Sequence, residues 1–326
     1  MPDIICLGEA LIDMVSDEPG LGLVQSTQFG KAAGGAPTNV AAGVAILGGS
    51  SGLIAKVGQD HFGEFLRQTL WDCEVDLEHF TITPDYETQL AFVARDQQGV
   101  PEFCFHVKRS ADQMLTPEEI SPEYFEEADI FHFGSITLIN EPARSATLRA
   151  IGIAGDTGKL VSYDPNLRPP LWPDLDMARE RIIEGIKLCD IIKMSEEEMR
   201  FVTGLEDPQR AMGVIYDMGP ELVAVTRGAQ GCYYLTDRCF GESPGFEVIP
   251  EDATGCGDAF VAAMLVWLLE SPHDVADLED EGLEELFRFA NAAGALTATG
   301  KGAIPSLPMR EEVIELLERE ETATEE

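Results

Sequence analysis

Short β-branched runs alternate with longer helical patterns along most of this chain. Helical segments such as Pro37–Leu47, Ala143–Ala154 and Gly257–Leu269 separate the apolar runs. Because strands alternating with helices form a mostly parallel sheet covered on both faces, the pattern predicts a doubly wound α/β fold. The predicted strands are Ile4–Gly8, Gly52–Val57, Ile130–Gly134, Leu160–Asp164, Ile191–Met194 and Leu222–Thr226, with a hairpin formed by Gly231–Leu235 and Phe246–Ile249.

Two segments interrupt this alternation. Met14–Ala33 has several glycines and few helical signals, and Thr88–Val107 contains two β-rich pieces around the turn Asp96–Gly99. Strands outside a parallel sheet commonly cover a site, so these segments predict a small β-sheet lid. The predicted division is an α/β body of residues 1–13, 34–87 and 110–320, a lid of residues 14–33 and 88–109, and an acidic tail of residues 321–326.

The composition excludes several classes of partner. The 326 residues carry a formal net charge of -37, which would repel nucleic acid and anionic lipid. No apolar run is long enough to cross a bilayer, and no basic region precedes the first strand, so a cytoplasmic location is expected. Seven cysteines without a CxxC pair argue against a disulfide framework or a zinc site.

The segment Asp252-Ala-Thr-Gly-Cys-Gly-Asp258 carries the strongest chemical signal. Its small residues Gly255, Cys256 and Gly257 stand where an apolar helix begins, so backbone N–H groups there could hold a phosphoryl group. Asp258, in the first turn, could accept a proton from a substrate hydroxyl, and the helix dipole favours its ionised form. The alternative is an ordinary glycine-rich turn followed by a carboxylate at a helix start.

A series of motifs in the same order resembles the ribokinase-like (PfkB) sugar kinases. Asp252–Phe260 resembles the C-terminal signature of that family, and Gly30–Gly49, centred on Gly34-Gly35-Ala36-Pro37-Thr38-Asn39, resembles the N-terminal one. Further matches are GEALID, VGQDHFG, SYDPNLR, SEEE, VTRGAQG and KGAIPS, so the resemblance spans nearly the whole chain. Within the family, GGAPTNVA, FHFGSITLI, YDPNLRPPLWP and KMSEEE are most similar to fructokinases.

The resemblance implies a set of site residues. Glu198 matches the glutamate of the family's N-x-x-E motif and would arrange Mg²⁺ indirectly, while Ser195 replaces the asparagine and suits a helix N-cap as well. Asn291 would line the adenine slot, although burial on a helix face is a nearly equal alternative. The catalytic residues implied are Asp258, Gly255, Cys256 and Gly257; the sugar ligands Asp13, Gly34, Gly35, Asn39, Lys108, Arg168 and Asp258; the nucleotide ligands Lys193, Glu198, Thr226, Gly228, Gly231, Gly255, Gly257 and Asn291; and the monovalent-cation ligands Asp252, Thr254, Thr297, Gly302 and Ser306.

The function implied is transfer of a phosphoryl group from MgATP, with K⁺ as a further cofactor, to a terminal hydroxyl of D-fructose. A 2-keto-3-deoxygluconate kinase is the alternative, since Lys108 and Arg109 could hold a substrate carboxylate. A ribose or nucleoside substrate ranks lower. A non-catalytic sugar-binding protein would be expected to lose the base or the anion loop, and this chain has both. Apolar lid residues predict a homodimer that pairs lid to lid.

The excess of acidic residues predicts a response to salt. Mutual repulsion among the charges is screened within a few ångströms at high ionic strength. We therefore expect the melting temperature to rise as KCl is added toward molar concentration, measured by thermal unfolding at constant pH. A flat or falling curve would contradict adaptation to a saline cytoplasm.

Overall fold

A computed structural model of the chain describes residues 1–95, 97 and 101–324. Of the predicted turn Asp96–Gly99, residues 96, 98 and 99 lie outside this description. The strands are β1 (Ile4–Leu7), β2 (Leu11–Ser16), β3 (Phe29–Gly34), β4 (Ser51–Gly58), β5 (Phe80–Thr83), β6 (Gln89–Arg95), β7 (Pro101–Phe105), β8 (Ile130–Gly134), β9 (Leu160–Asp164), β10 (Ile191–Ser195), β11 (Leu222–Thr226), β12 (Cys232–Leu235) and β13 (Phe240–Ser243). The helices are α1 (Ala36–Ile46), α2 (His61–Asp72), α3 (Ala143–Asp156), α4 (Leu175–Ile186), α5 (Glu196–Thr203), α6 (Pro208–Tyr216), α7 (Cys256–Glu270), α8 (Asp280–Thr297) and α9 (Arg310–Thr324).

The described residues form two sheets. The main sheet has nine strands in the order β13-β12-β11-β10-β9-β8-β1-β4-β5, and all its pairs are parallel except the two that involve β12. The small sheet has four strands in the order β3-β2-β6-β7. The predicted doubly wound α/β fold with a small separate sheet is therefore confirmed. The division into body, lid and tail stays a prediction; β2 begins at Leu11 and so includes Asp13, which that division assigned to the body.

Two cores lie on opposite faces of the main sheet because successive strand side chains point to opposite sides. In β1, Ile4 and Cys6 face a core that includes α1, α7 and α8, while Ile5 and Leu7 face the core of α3, α4, α5 and α6. α7 is buried without interruption from Asp258 to Val266. This explains its apolar sequence, since it packs between α1 and α8 on one side of the sheet.

The second strand of the predicted hairpin is wrong, and α9 ends later than expected from the sequence. The second strand of the hairpin is Phe240–Ser243 rather than Phe246–Ile249, because Cys232 pairs with Ser243 and a short turn joins β12 directly to β13. Ile249 is 91% exposed. In addition, α9 continues to Thr324, so residues 321–324 of the predicted acidic tail are helical. Glutamate and alanine are good helix formers, and the acidic composition alone concealed this.

Candidate active site

The predicted phosphoryl-binding segment Asp252–Asp258, called the anion loop below, ends in the first turn of α7. Glycine is required at two of its positions. Gly255 is the N-cap residue with φ of 83°, and a Cβ there would lie 2.7 Å from the Cβ of Ala303. A Cβ on Gly257 would lie 2.8 Å from the Nζ of Lys193. The loop therefore leaves space only for backbone beside a lysine ammonium, which suits an approaching phosphate. Cys256 is half-buried, and burial raises the pKa of its thiol to about 11.

Asp258 forms a hydrogen bond with a residue of the N-terminal signature. Its Oδ2 accepts a hydrogen bond of 2.7 Å from Asn39 Nδ2, which joins the first turn of α7 to the first turn of α1. Both side chains are buried. The Oδ1 of Asn39 has no partner among the described residues, so it is an acceptor held ready at the same place.

The electrostatics of Asp258 differ from the sequence expectation. Burial, helped by the charge of Asp164, raises the pKa of Asp258 to about 7, although the Asn39 hydrogen bond and the positive charge of Lys193 act in the opposite direction. The sequence expectation considered only the helix dipole, which favours the ionised form, whereas desolvation in the folded chain acts more strongly in the opposite direction. A pKa near the working pH suits a general base.

A buried ion pair lies beside the loop. Lys193 Nζ donates to Asp164 Oδ2 at 2.9 Å, and the two side chains are 8% and 3% exposed. Burial acts to lower the pKa of Lys193, but the carboxylates of Asp164, Glu198 and Asp258 together raise it. The ammonium is therefore held charged next to the anion loop. Sequence reasoning missed Asp164, whose signal was its position at the carboxyl end of a parallel strand.

Glu198 uses both carboxylate oxygens on backbone groups. Its Oε1 accepts from Leu167 N at 2.6 Å and its Oε2 from Ser195 N at 2.7 Å, while Ser195 Oγ accepts from Glu198 N. The N-cap interpretation of Ser195 is thus confirmed as a capping box. Burial and the charge of Asp164 raise the pKa of Glu198, and Lys193 opposes them. Glu198 ties the loop that contains Arg168 to the start of α5.

The predicted sugar ligands meet at the start of α1. A Cβ on Gly34 would lie 2.1 Å from Asp13 Oδ2, so glycine lets that carboxylate reach the loop. Gly35 has φ of 107° and its missing Cβ would lie 2.1 Å from the carbonyl oxygen of Glu9. Burial raises the pKa of Asp13 to about 6, opposed by Arg168 and assisted by Asp252. The guanidinium carbon of Arg168 lies 5.9 Å from the ring centre of Phe103 in β7.

Two further buried carboxyls at this site were not predicted from the sequence. Glu9 Oε1 accepts from Ala36 N at 2.8 Å, and burial raises the pKa of Glu9 to about 8, with a further rise from Asp112. Burial also raises the pKa of Asp112 to about 6. Glu9 stands in the GEALID motif that carried part of the resemblance, and this was the available signal. Lys108, by contrast, is exposed and makes no hydrogen bond or ion pair with the other described residues.

The predicted nucleotide residues are divided between β11 and α8. Thr226 ends β11, and Gly231 has φ of 88° with Ser243 O at 2.1 Å from its missing Cβ, while Gly228 has φ of 58°. Asn291 is buried in α8, and its Nδ2 donates to Ser243 Oγ at 3.1 Å and to Pro244 O at 3.3 Å. Its amide therefore holds the end of β13, and its place in the adenine slot stays a prediction.

Among the residues predicted to bind a monovalent cation, Asp252 links two loops by hydrogen bonds. Asp252 Oδ1 accepts from Thr254 Oγ1 at 2.8 Å, and Asp252 Oδ2 accepts from Gly302 N at 3.1 Å. Thr297 is fully buried and donates its hydroxyl to Ala293 O. Ser306 packs against Gly300, where a Cβ would lie 2.4 Å from Ser306 Oγ. Among the described residues, no group of three or more His, Cys, Asp or Glu side chains is placed to hold a metal ion.

A membrane-spanning role has no support within residues 1–95, 97 and 101–324. None of the helices there combines the length and the apolar character needed to cross a bilayer.

With this fold and this loop, the chain belongs to the pfkB family of carbohydrate kinases, whose family model matches residues 1–310. Among its relatives, "Probable fructokinase-6, chloroplastic" from Arabidopsis thaliana is 46% identical over 319 residues, which are 97% of this chain and 82% of that protein. The crystal structure of fructokinase with bound ATP from Xylella fastidiosa is 32% identical, has a TM-score of 0.90, and covers 98% of this chain and 100% of that one. A fructokinase double mutant from Vibrio cholerae O395, with fructose, ADP and potassium ion bound, is 35% identical, has a TM-score of 0.87, and covers 97% and 98%.

The raised pKa of Asp258 predicts a pH-dependent gain in stability on mutation. A carboxyl whose pKa is raised on folding stabilises the folded state below its unfolded pKa, and this contribution is lost as the pH rises through the folded value, here about 7. Asp258→Asn cannot ionise. We therefore expect its melting temperature, relative to the wild type, to increase between about pH 5 and about pH 8.

Thermal unfolding at several pH values measures this difference. Asp176→Asn, in the exposed first turn of α4, is the matched control and should show no such trend. Parallel curves for Asp258→Asn and the wild type would contradict the assignment of a raised pKa to Asp258.

Proposed function

We propose that this chain is a fructokinase, which transfers the γ-phosphoryl group of MgATP to a terminal hydroxyl of D-fructose. The observation that carries the proposal is the placement of a buried carboxylate, Asp258, at the start of α7 next to Lys193 and in a hydrogen bond with Asn39. The relatives named fructokinase over nearly the whole chain support the same substrate.

The proposed reaction needs one proton acceptor and a positive cradle. Asp258 takes the proton of the sugar hydroxyl while the hydroxyl oxygen bonds to the γ-phosphorus and the bond to the β-phosphate oxygen breaks. The N–H groups of Gly255–Gly257 and the ammonium of Lys193 offset the charge on the transferring group. Because Asp258 matters as the hydroxyl becomes acidic, its contribution belongs to the transition state.

The charges around the sugar loop favour a neutral sugar. The carboxyls of Glu9, Asp13 and Asp258 are all acted on by the positive charge of Arg168, and the buried Asp112 adds a further carboxyl next to Glu9. From the small sheet, Phe103 and Phe105 lie in cross-strand register with Val93 and Ala91 and add an apolar surface. A substrate with its own carboxylate, such as 2-keto-3-deoxygluconate, would be repelled here, and the exposed Lys108 gives no buried partner for it.

The cofactors proposed are ATP, Mg²⁺ and K⁺. Asp164 and Glu198 would hold Mg²⁺ indirectly rather than as a carboxylate cage, since no group of three or more such side chains is placed to hold a metal among the described residues. When bound, Mg²⁺ would neutralise charge that develops on the phosphates. Asp252 joins the loops of Thr254 and Gly302, whose carbonyl and hydroxyl oxygens suit a monovalent cation.

A substrate panel tests the proposal. Purified chain is assayed for ADP release with MgATP and D-fructose, 2-keto-3-deoxygluconate, ribose or adenosine. We expect kcat/KM to be highest for fructose and about tenfold or more lower for 2-keto-3-deoxygluconate, because a misplaced charge is rejected. A preference for 2-keto-3-deoxygluconate would refute the substrate and leave the kinase family.

The variant Asp258→Asn tests whether Asp258 is the catalytic base. It keeps the shape of the side chain and removes the proton acceptor, so kcat should fall by about 10²–10⁴-fold with little change in the affinity for sugar or ATP. Retention of more than about a tenth of the wild-type kcat would show that less than ~1.4 kcal/mol was lost and that Asp258 is not the base.

We also propose a homodimer that pairs through the small sheet, in a cytoplasmic protein, although one relative is named as chloroplastic. β3 and β7 are the edges of that sheet, and exposed edges are usually covered.

Cys104, exposed and paired with Phe92 on the outer face, is the place to test this. Light scattering at about micromolar concentration should show a dimer, and Cys104→Lys should shift it toward monomer. A fully active wild-type monomer would contradict the assembly.

A further inference from the structure

At the base of the small sheet, the side chain of one glutamine joins the start of β6 to the chain that follows β7 by hydrogen bonds. Gln89 begins β6, and its side chain is 3% exposed. Its Oε1 accepts from Val107 N at 3.0 Å, and its Nε2 donates to Val107 O at 2.9 Å. The carboxamide thus makes both backbone hydrogen bonds of a residue that follows β7, as a paired strand residue would do.

The same amide continues toward the body of the chain. Gln89 Nε2 also donates to the fully buried Ser110 Oγ at 3.1 Å, and the Ser110 side chain opposes the rise that burial causes in the pKa of Asp112. Next to this contact, Ala111 N donates to Glu87 O at 2.9 Å. The two crossings between the small sheet and the body, at residues 87–89 and 107–111, are therefore fastened to each other at one point.

Further buried polar groups lie beside the loop predicted to bind sugar, at Gly34-Gly35. The charge of Asp112 acts on Glu9, and Glu9 Oε1 holds Ala36 N directly after Gly34-Gly35. Glu9 Oε2 and Asp112 Oδ1 are both buried, and neither has a partner among the described residues. Buried polar side chains thus lie both at the base of the small sheet and beside the backbone of the loop predicted to bind sugar.

Strand pairing connects Gln89 to the face of the small sheet that would cover the sugar. Gln89 pairs with Leu11 in the parallel ladder of β2 and β6, two residues before the pair of Asp13 and Ala91, and Ala91 pairs with Phe105. A change at the base of β6 would therefore be transmitted to the row that presents Asp13 and Phe105 to the sugar.

We propose that Gln89 is a positioning residue for sugar binding, which fixes the small sheet against the sugar loop through Val107 and Ser110. The proposal rests on the proposed function, because its readout is the affinity for fructose. Gln89 belongs to the small sheet, whereas the predicted nucleotide residues Thr226, Gly228 and Gly231 lie at the end of β11 in the main sheet and directly after it. Its loss should consequently affect sugar binding and spare ATP binding.

Gln89→Met tests this, because methionine has a similar length and cannot make the four hydrogen bonds of the carboxamide, which are with Val107 N, Val107 O, Ser110 Oγ and the adjacent Leu90 N. We expect KM for fructose to rise about fivefold or more, which corresponds to at least one lost neutral hydrogen bond, with KM for ATP within about twofold. Amide hydrogen exchange should become faster in residues 89–94 and 102–107 and stay unchanged in α1. Gln68→Met, at an exposed position of α2 where Gln68 bonds Asp72, is the matched control and should change neither constant.

Several outcomes would overturn the proposal. A folded Gln89→Met with unchanged KM for fructose does so, and so does an equal rise in both KM values or a loss confined to kcat, since each indicates a general structural effect. If Gln89→Met does not fold, Ser110→Ala removes only the Ser110 branch and should raise KM for fructose by about twofold to fivefold; no change there also refutes it. A wild-type chain that does not phosphorylate fructose refutes the proposed function instead, and the exchange data still test the role of Gln89 in holding the small sheet.

Discussion

The hydrogen bond between Asn39 and Asp258 is the contact on which the rest of the site depends. It spans 219 positions of sequence and requires the first turns of α1 and α7 to lie side by side. Small residues make this possible, since a Cβ on Gly43 would lie 2.7 Å from the Cβ of Ala262 at the contact between the two helices. Close helix packing thus sets the distance between the proposed base and the loop that would hold the sugar.

The site concentrates negative charge and depends on few cations to balance it. Lys193 and Arg168 both lower the pKa of Asp258, while burial and Asp164 raise it. Triphosphate would add further negative charge beside Asp258, so a divalent ion on the phosphates would help to keep the carboxyl ionised. The buried pair of Lys193 and Asp164 is costly to desolvate, so its presence beside the start of α7 is weak evidence for a purely stabilising role.

Local patterns were sufficient to predict most of the main sheet and the anion loop. Apolar runs identified β8, β9 and β11 residue for residue, and glycine spacing identified Gly255 and Gly257. Asp164 and Glu9 carried only weak signals, the end of a parallel strand and the GEALID motif, and Asp112 carried none, because the partners of these carboxyls are distant in the chain. Nor could the sequence show that burial sets the pKa of Asp258, since a dipole is local and desolvation depends on the whole fold. β13, with its glycine and glutamate, is recognised only through its partner β12.

The small sheet is assembled from two separate parts of the chain, and this has a consequence for folding kinetics. The hairpin of β2 and β3 is complete by Gly34, but its neighbour β6 begins only at Gln89, after α1, β4, α2 and β5. Long-range parallel pairing forms slowly because the intervening chain must first be ordered. During synthesis, one side of β2 therefore remains unpaired until β6 leaves the ribosome, and in that interval it could associate with the same strand of another nascent chain.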